Sequence, residues 1–335
     1  MDRSDVRLSM PSKGWLAEDA IRFMDSCGLA LHKPNPRQYE AEIPALPGLA
    51  VLFQRAADIV VSVRDGSVDF GITGLDVVRE LEGTNGQVVV LHDALQFGHC
   101  RLAVAVPETW TEVVHKGDLA ARARLVDRPL RVATKFPHLT TGFLEPLGFP
   151  FTLVHTEGTL EVAPTIGYAD LISDLVSSGQ TLRDNRLRML SDGVVLESQA
   201  ALIANRAALQ NRAHTLEVAR QLLEFIEAHL RAAEHVAIFA NMRGQSPELI
   251  AQQMFAQQTL GGLQGPTFSH VVVPGDDPNW WAVHIIVRRA SLAAAVAELR
   301  AIGGSGVVVT PVTYIFEEEP ARYQAMLEAL HGQGH

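Results

Sequence analysis

The chain has 335 residues, 47% of them hydrophobic and 20% charged, an ordinary composition for a globular protein with room for two or three domains. Its formal net charge of −10 argues against a nucleic-acid partner, and its two cysteines, Cys27 and Cys100, are too few for a disulfide framework or a structural zinc site. No apolar run is long enough to span a membrane, and Met1-Asp2-Arg3-Ser4-Asp5 lacks the features of a signal peptide, so a reducing cytoplasm is the expected location.

The first segment alternates apolar runs with amphipathic ones. Val6 to Met10 reads as a strand, Lys13-Gly14 as a turn and Leu16 to Cys27 as a helix. Strands follow at Ala50–Gln54 and Val68–Thr73, with helices at Ala56–Asp65 and Asp76–Glu82. This order argues for an α/β lobe with a largely parallel sheet. Arg101 to Pro107 reads as a strand leading into a second lobe of the same kind. Leu130–Thr134 and Phe151–His155 are its strands, and Leu139–Leu147 is a helix. A Lys-Gly turn alone is usually an exposed loop, a small-residue strand end such as Thr73-Gly74 a packing site, and a lone Arg101 a solvated charge.

Residues 157–182 carry the strongest signal. An apolar strand, Ala169 to Val176, runs into Ser177-Ser178-Gly179-Gln180-Thr181 and then a short helical segment bearing Arg183 and Arg186. A strand that delivers such a loop to a helix start makes a phosphate cradle, because unpaired N–H groups and the helix dipole favour an anion. Gly179 permits positive φ and close approach of a phosphate. Asp170 and Asp174, four apart on the expected strand, would share one face. A lone Asp there is most simply a turn cap. A pair beside a phosphate loop suits sugar hydroxyls, bound directly or through Mg²⁺. Phosphate plus vicinal hydroxyls describes ribose 5-phosphate.

Gly193 to Ala204 reads as a return strand, and Asn211 to Glu234 as a long helix with Leu216, Ala219, Leu222, Leu223, Ile226 and Leu230 at helical spacing. Two lobes joined by crossover strands enclose a cleft, a common ligand site. The last hundred residues read as strand His235–Asn241, helix Ser246–Gln258, strands Phe268–Val273 and Trp280–Arg288, helix Ser291–Ile302 and strand Val307–Thr310. That βαββαβ order is ferredoxin-like. Appended to a complete two-lobed core it suggests regulation; a dimerisation domain without a ligand is the simpler alternative.

Asp174-Leu175-Val176-x-Ser178-Gly179-x-Thr181 resembles the phosphoribosyl-pyrophosphate (PRPP) loop of phosphoribosyltransferases. The longer run Glu157-Gly158-Thr159-x-Glu161-Val162-Ala163-Pro164, with Gly167-x-Ala169-Asp170-x-Ile172-x-Asp174-Leu175-Val176, is similar to ATP phosphoribosyltransferase of histidine biosynthesis. Lys13-Gly14, Asp69-Phe70-Gly71-Ile72-Thr73-Gly74, Phe97-Gly98-x-Cys100-Arg101-Leu102 and Arg131-Val132-Ala133-Thr134-Lys135-Phe136-Pro137 extend the resemblance over nearly the whole chain, and residues 299–316 are like the C-terminal end of the long form. Two departures stand out: Leu175 follows Asp174 where many phosphoribosyltransferases have a second acid, and Ser178 replaces a common Thr.

The resemblance implies a two-lobed, periplasmic-binding-protein-like catalytic core with a C-terminal ferredoxin-like regulatory domain. The expected boundaries are 1–104 with 193–233 for the first lobe, 105–192 for the second, and 234–335 for the regulatory domain. It implies attack of ATP N1 on C1 of PRPP with loss of pyrophosphate, so that substrate supplies the nucleophile. PRPP would meet Glu157, Gly158, Thr159, Asp170, Asp174, Leu175, Val176, Ser177, Ser178, Gly179, Gln180 and Thr181. ATP would meet Lys13, Gly14, Thr73, Gly74, Arg101 and Lys135, with Arg37 and Arg55 as further phosphate contacts by position. Asp170, Asp174, Lys13 and Arg101 are the expected catalytic set. Mg²⁺ would sit mainly on substrate phosphates, with Asp170 and Asp174 as candidate protein ligands. L-histidine as inhibitor and a dimer or hexamer complete what the resemblance implies.

Overall fold

A computed structural model describes residues 5–33, 35, 39–155, 160–274 and 278–331. It divides into two compact units, Met1–Leu223 with Ala321–His335, and Glu224–Pro320.

The first unit opens with β1 (Val6–Pro11), α1 (Trp15–Ser26), β2 (Glu40–Glu42), β3 (Leu49–Gln54), α2 (Ala56–Arg64), β4 (Phe70–Gly74), α3 (Leu75–Leu81) and β5 (Val88–His92). It continues with β6 (Cys100–Pro107), α4 (Lys116–Arg124), β7 (Leu130–Thr134), α5 (Pro137–Leu144), β8 (Phe151–His155), β9 (Leu171–Val176), α6 (Gln180–Asp184), β10 (Leu187–Ser198), β11 (Ala200–Asn205), α7 (Arg206–Asn211) and α8 (Ala213–Ala233). One sheet runs β2-β3-β1-β4-β11-β5 and the other β10-β6-β9-β7-β8. The two share a plan. In each, one strand lies parallel between two others, β1 between β3 and β4, and β7 between β8 and β9. The next strand is antiparallel and arrives from the other lobe's side of the chain: β11 beside β4 and β5, β6 beside β9 and β10. This is a two-lobed core with crossover strands. The sequence supports the central positions: all six residues of β11, Ala-Ala-Leu-Ile-Ala-Asn, are buried, as a strand covered on both faces requires.

The expected return strand over 193–204 is two strands. Residues up to Ser198 pair with β6, and from Ala200 onward the chain pairs with β4 and β5, with Gln199 alone between them. The second sheet therefore takes Cys100 to Ser198, a wider span than 105–192. The long helix expected over 211–234 is α8, and the short α7 precedes it with Arg212 between them.

The second unit holds β12 (His235–Arg243), α9 (Pro247–Phe255), β13 (Thr267–His270), β14 (Trp280–Arg288), α10 (Leu292–Ala301) and β15 (Ser305–Pro311). The sheet order β13-β14-β12-β15, antiparallel throughout, is the ferredoxin-like arrangement. Its core gathers Val236, Ile238, Ala240 and Met242 with Ile250, Met254, Val283, Ile285, Ala295 and Leu299. The C-terminal half of α8 joins this unit, where Phe225 meets Phe316 edge-on at 5.6 Å and Ala228 O accepts from Ile315 N at 3.0 Å.

A last helix, α11 (Ala321–His331), departs from the expected 234–335 domain and belongs to the first unit. Arg322 pairs with Asp93 at 2.9 Å, and Ala329 O and Leu330 O accept from Arg206 and Gln210. Its buried Tyr323, Met326 and Leu330 lie one turn apart on one face.

Candidate active site

Strand direction brings the two sheets' ligand edges together. The C-terminal ends of β1, β3, β4 and β5 meet the start of β11 on one edge, and those of β7, β8, β9 and β10 meet the start of β6 on the other. The crossings brace one another: Gln96 N donates to Gln199 Oε1, Ala200 N to Phe97 O and Leu75 N to Gln199 O, each at 2.9 Å. The crevice beyond the carboxyl ends of such strands is where ligands sit in open α/β sheets.

The Gly/Ser loop lies on this edge. β9 ends at Val176, and α6 begins at Gln180 after Gly179 turns left-handed at φ 72°. A side chain on Gly179 would be strained there and would come within 3.2 Å of Arg183 Nη1. Arg183 braces the loop by donating to Gln180 Oε1 at 2.9 Å and Ser178 O at 3.4 Å. Arg186 lies beyond α6, with φ 56°. Ser177, Ser178, Gln180 and Thr181 are exposed, and Ser178 Oγ accepts from Gln180 N at 3.3 Å. Arg101 stands opposite Val176 in the antiparallel β6–β9 ladder, with Glu197 on its other side. Arg101, Ser177, His99, Glu197 and Ser198 help line a cavity of about 250 Å³ at the crossing.

Asp174 sits on β9 two residues before the loop. Its carboxylate accepts from Leu175 N at 2.8 Å. Burial pushes it up to about 6; Glu161 adds to the rise and Lys135 opposes it. A carboxyl at that value ionises near neutrality and gains from any donor brought to it.

Asp170 is separated from this position. β9 begins at Leu171, so Asp170 precedes the strand at the end away from the loop, roughly 13 Å from Asp174 at strand rise. Its carboxylate, 10% exposed, is held by Arg128 at 2.6 and 2.8 Å and by Arg131 through its backbone N at 2.8 Å and its guanidinium at 3.0 Å. These arginines hold it well below the usual carboxylate range. The expected role of Asp170 on ribose or Mg²⁺ is thereby corrected: its oxygens already serve a structural ion cluster. Neither arginine was singled out from sequence, since only the β7–β9 pairing brings them to Asp170.

The other expected residues distribute unevenly. Lys13 and Gly14 are exposed after β1, and Gly14 takes φ 77° and ψ 177°, a backbone reserved to glycine. Lys135 is exposed after β7. Arg55 is exposed at the end of β3. Thr73 is fully buried with its hydroxyl directed to Ala56 O at 3.4 Å, so an ATP contact by its side chain is corrected to packing. Gly74 leads into α3, where Ser198 Oγ donates to Asp76 Oδ1 at 2.6 Å and accepts from Asp76 N at 2.9 Å. A buried hydroxyl chain, Thr134–Thr140–Ser173 at 3.1 and 2.9 Å, ties α5 to β7 and β9 next to Asp174. Glu157, Gly158, Thr159 and Arg37 lie outside the described residues. Glu161 is a site neighbour that the sequence reading quoted without a role. Among the described residues no cluster of three or more His, Cys, Asp or Glu is arranged to hold a metal ion.

Known proteins share this sequence and fold. The family HisG: ATP phosphoribosyltransferase matches residues 55–228, and HisG, C-terminal domain, matches residues 232–314. ATP phosphoribosyltransferase 2, chloroplastic, from Arabidopsis thaliana is 44% identical over 98% of this chain and 81% of that protein. ATP phosphoribosyltransferase from Rhodopseudomonas palustris (strain BisA53) is 35% identical over 96% of this chain and 97% of that protein. Among solved structures, the ATP phosphoribosyl transferase (HisG:HisZ) complex from Thermotoga maritima is similar in fold, with TM-score 0.52 at 23% identity over 66% of this chain and 98% of that one. The chain belongs to the ATP phosphoribosyltransferase family.

Proposed function

We infer that the cleft at the two crossings performs the family's reaction, the first step of histidine biosynthesis. N1 of ATP attacks C1 of PRPP, the C1–O bond to pyrophosphate breaks, and N1-(5-phosphoribosyl)-ATP and pyrophosphate leave. The observation that carries this reading is the β6–β9 register, which puts a guanidinium, Arg101, across from Val176 at the mouth of the 177–181 loop, with Asp174 two residues behind.

The loop would hold the 5-phosphate on backbone N–H groups and the hydroxyls of Ser177, Ser178 and Thr181. Asp174, ionised, would accept from the ribose hydroxyls. Glu157, Gly158 and Thr159 would border the same sugar. Arg101, Lys135 and Lys13 would screen the polyphosphates, the two lysines standing after β7 and β1. Because the attacking atom is the substrate's, the protein's share is alignment of two polyanions and stabilisation of the departing pyrophosphate. Mg²⁺, carried by the pyrophosphate oxygens with Asp174 as the nearest described carboxylate, supplies charge neutralisation when bound.

The ferredoxin-like unit would bind L-histidine and lower turnover, and the chain would assemble as a dimer or hexamer. The reducing compartment suggested by two free cysteines fits a cytoplasmic location, while the Arabidopsis relative is labelled chloroplastic.

The test is absorbance-monitored formation of phosphoribosyl-ATP from ATP, PRPP and Mg²⁺, with and without L-histidine, beside Asp174→Ala. Product that disappears in the variant with an unchanged circular dichroism spectrum supports the reading. Full activity in Asp174→Ala overturns the ribose assignment. Activity insensitive to histidine removes the inhibitor and leaves the enzyme.

A further inference from the structure

Helix α5 starts without a cap of its own. The residue at its N-cap is Phe136, whose side chain has no oxygen, and its first helical residue is Pro137, which has no N–H. Phe136 N is already taken by Thr134 Oγ1 at 2.9 Å. The first donors of the helix are therefore the amides of His138 and Leu139. Both are satisfied from the other lobe: His138 N donates to Glu80 Oε1 at 2.8 Å and Leu139 N to Glu80 Oε2 at 3.0 Å. Glu80 lies on α3 of the first lobe, 58 residues earlier in the chain.

We propose that Glu80 is a positioning residue for the transfer: its carboxylate clamps the first turn of α5 to the first lobe and so holds Lys135 beside Asp174. The proposal rests on the reading of the cleft given above. The clamp is anchored at both ends. The start of α3 is fixed by the Asp76–Ser198 pair at the crossing, and Arg79 is engaged by Glu82 at 3.1 Å. On the other side, Thr140 of α5 bonds Ser173, the neighbour of Asp174 on β9, and Lys135 lies two residues before Pro137. Displacing the first turn of α5 therefore moves Lys135 relative to Asp174 and the phosphate loop.

A local Ser or Asp would cap this helix whatever the lobes did. A cap imported from the facing lobe is made only when the lobes are together. When they part, both amides and the carboxylate return to water, so opening is reversible and not blocked. Glu80 thus biases the lobes toward the arrangement in which both faces of the site are present. A ligand that needs that arrangement binds more weakly in proportion to the fraction of molecules lacking it.

The experiment compares wild type, Glu80→Ala and Glu80→Gln as full chains. KM for PRPP and kcat are measured at saturating ATP, and amide hydrogen exchange at 138 and 139 is measured without substrate. In Glu80→Ala, KM should rise about tenfold with kcat within twofold of wild type, and protection at both amides should fall while that of β7 and β9 stays. Glu80→Gln keeps one carbonyl acceptor in the same place and should restore KM to within about threefold of wild type. A KM within twofold of wild type in Glu80→Ala overturns the positioning role, as does a loss confined to kcat. Unchanged exchange at 138 and 139 overturns the clamp itself. Should Glu80→Ala not fold, a normal KM in Glu80→Gln with lost protection overturns the proposal alone. A wild-type chain that makes no phosphoribosyl-ATP overturns the catalytic reading, and intact protection at 138 and 139 distinguishes that outcome from failure of the clamp.

Discussion

The carboxyl of Asp174 should destabilise the free protein at the pH where it is needed. Its value rises from 3.8 to about 6 on folding, mainly through burial. At about 1.4 kcal/mol per unit this is about 3 kcal/mol, an upper figure because ionisation draws in water. The sign follows from proton uptake. Below about pH 4 the group is protonated in both states and contributes nothing. Between about 4 and 6 the unfolded chain ionises while the folded one does not, so stability falls as pH rises. Above 6 the loss is complete. Asp174→Asn keeps an oxygen for Leu175 N, which now donates to the carboxylate at 2.8 Å, and removes the titration. The variant should match wild type near pH 4, gain stability steadily to pH 6, and stay about 3 kcal/mol ahead to pH 8. Urea unfolding of the ligand-free protein at intervals across that range reads this directly. Phosphoribosyl-ATP formation by the same samples should be lost. A stability difference that does not change with pH, or a variant less stable at pH 7.5, would refute the account of why this carboxyl is raised. A more stable variant with full activity would refute its assignment to the ribose.

Asp170→Ala should behave oppositely. It leaves Arg128 and Arg131 without their shared acceptor and should cost about 2 kcal/mol near neutral pH in urea unfolding. Because the folded carboxyl is depressed, its contribution is present above about pH 4 and is lost as pH falls, so the two proteins should converge in acid, with KM for PRPP in the folded variant near wild type. Gly179→Ala places a Cβ at φ 72° within 3.2 Å of Arg183 Nη1; a loss of roughly 1–2 kcal/mol and a raised KM for PRPP are expected, and unchanged kinetics would show that the loop does not hold the phosphate. Removing residues 321–335 exposes the surface under Tyr323, Met326 and Leu330, worth about 5 kcal/mol together, and hydrogen exchange should quicken in β5 while the sheet of β12 to β15 is unchanged.

Period and punctuation carried most of the fold. β7 and β8 run over the residues where their apolar runs lie, and the βαββαβ order of the last unit follows from its turn residues and alternation. The phosphate loop was legible for a local reason: a strand, a left-handed glycine and a helix start are consecutive in sequence. What escaped depends on neighbours distant in the chain. Asp170 looks like a partner of Asp174 at a spacing of four. It becomes an ion-cluster residue only because β7 lies beside β9, which brings Arg131, 39 residues away, to hydrogen-bonding distance. The run around Gln199 reads as one strand because both halves are apolar, and periodicity does not record a change of sheet. Helix α11 carries its buried residues at helical spacing, Tyr323, Met326 and Leu330, but spacing does not record that its partners lie far back in the chain, at Asp93, Arg206 and Gln210.

The matching plans of the two lobes sharpen the question of why the phosphate loop occurs on one of them. The equivalent elements are β4 leading to α3 and β9 leading to α6, each lying beside the incoming crossover strand. In the first lobe Gly74 passes directly into α3, and the second residue of that helix is the buried Asp76. Ser198 closes that helix start by bonding both the amide and the carboxylate of Asp76. A carboxyl group is thus already built into the helix start, and a phosphate there would meet it in place of open donors. In the second lobe three residues, Ser177 to Gly179, separate strand from helix, and the acid of that element, Asp174, stands back in the strand. The same topology therefore gives one helix start closed by a buried carboxyl and one whose first amide, Gln180 N, donates only to the exposed Ser178 hydroxyl at 3.3 Å. The lysines are not divided this way: Lys13 and Lys135 both stand exposed, after β1 and β7. On the proposed reading, such a cleft would hold a single phosphate on one wall and offer cations from both walls to the polyphosphate between, which is the requirement of a reaction that aligns two nucleotide-like anions and releases a third.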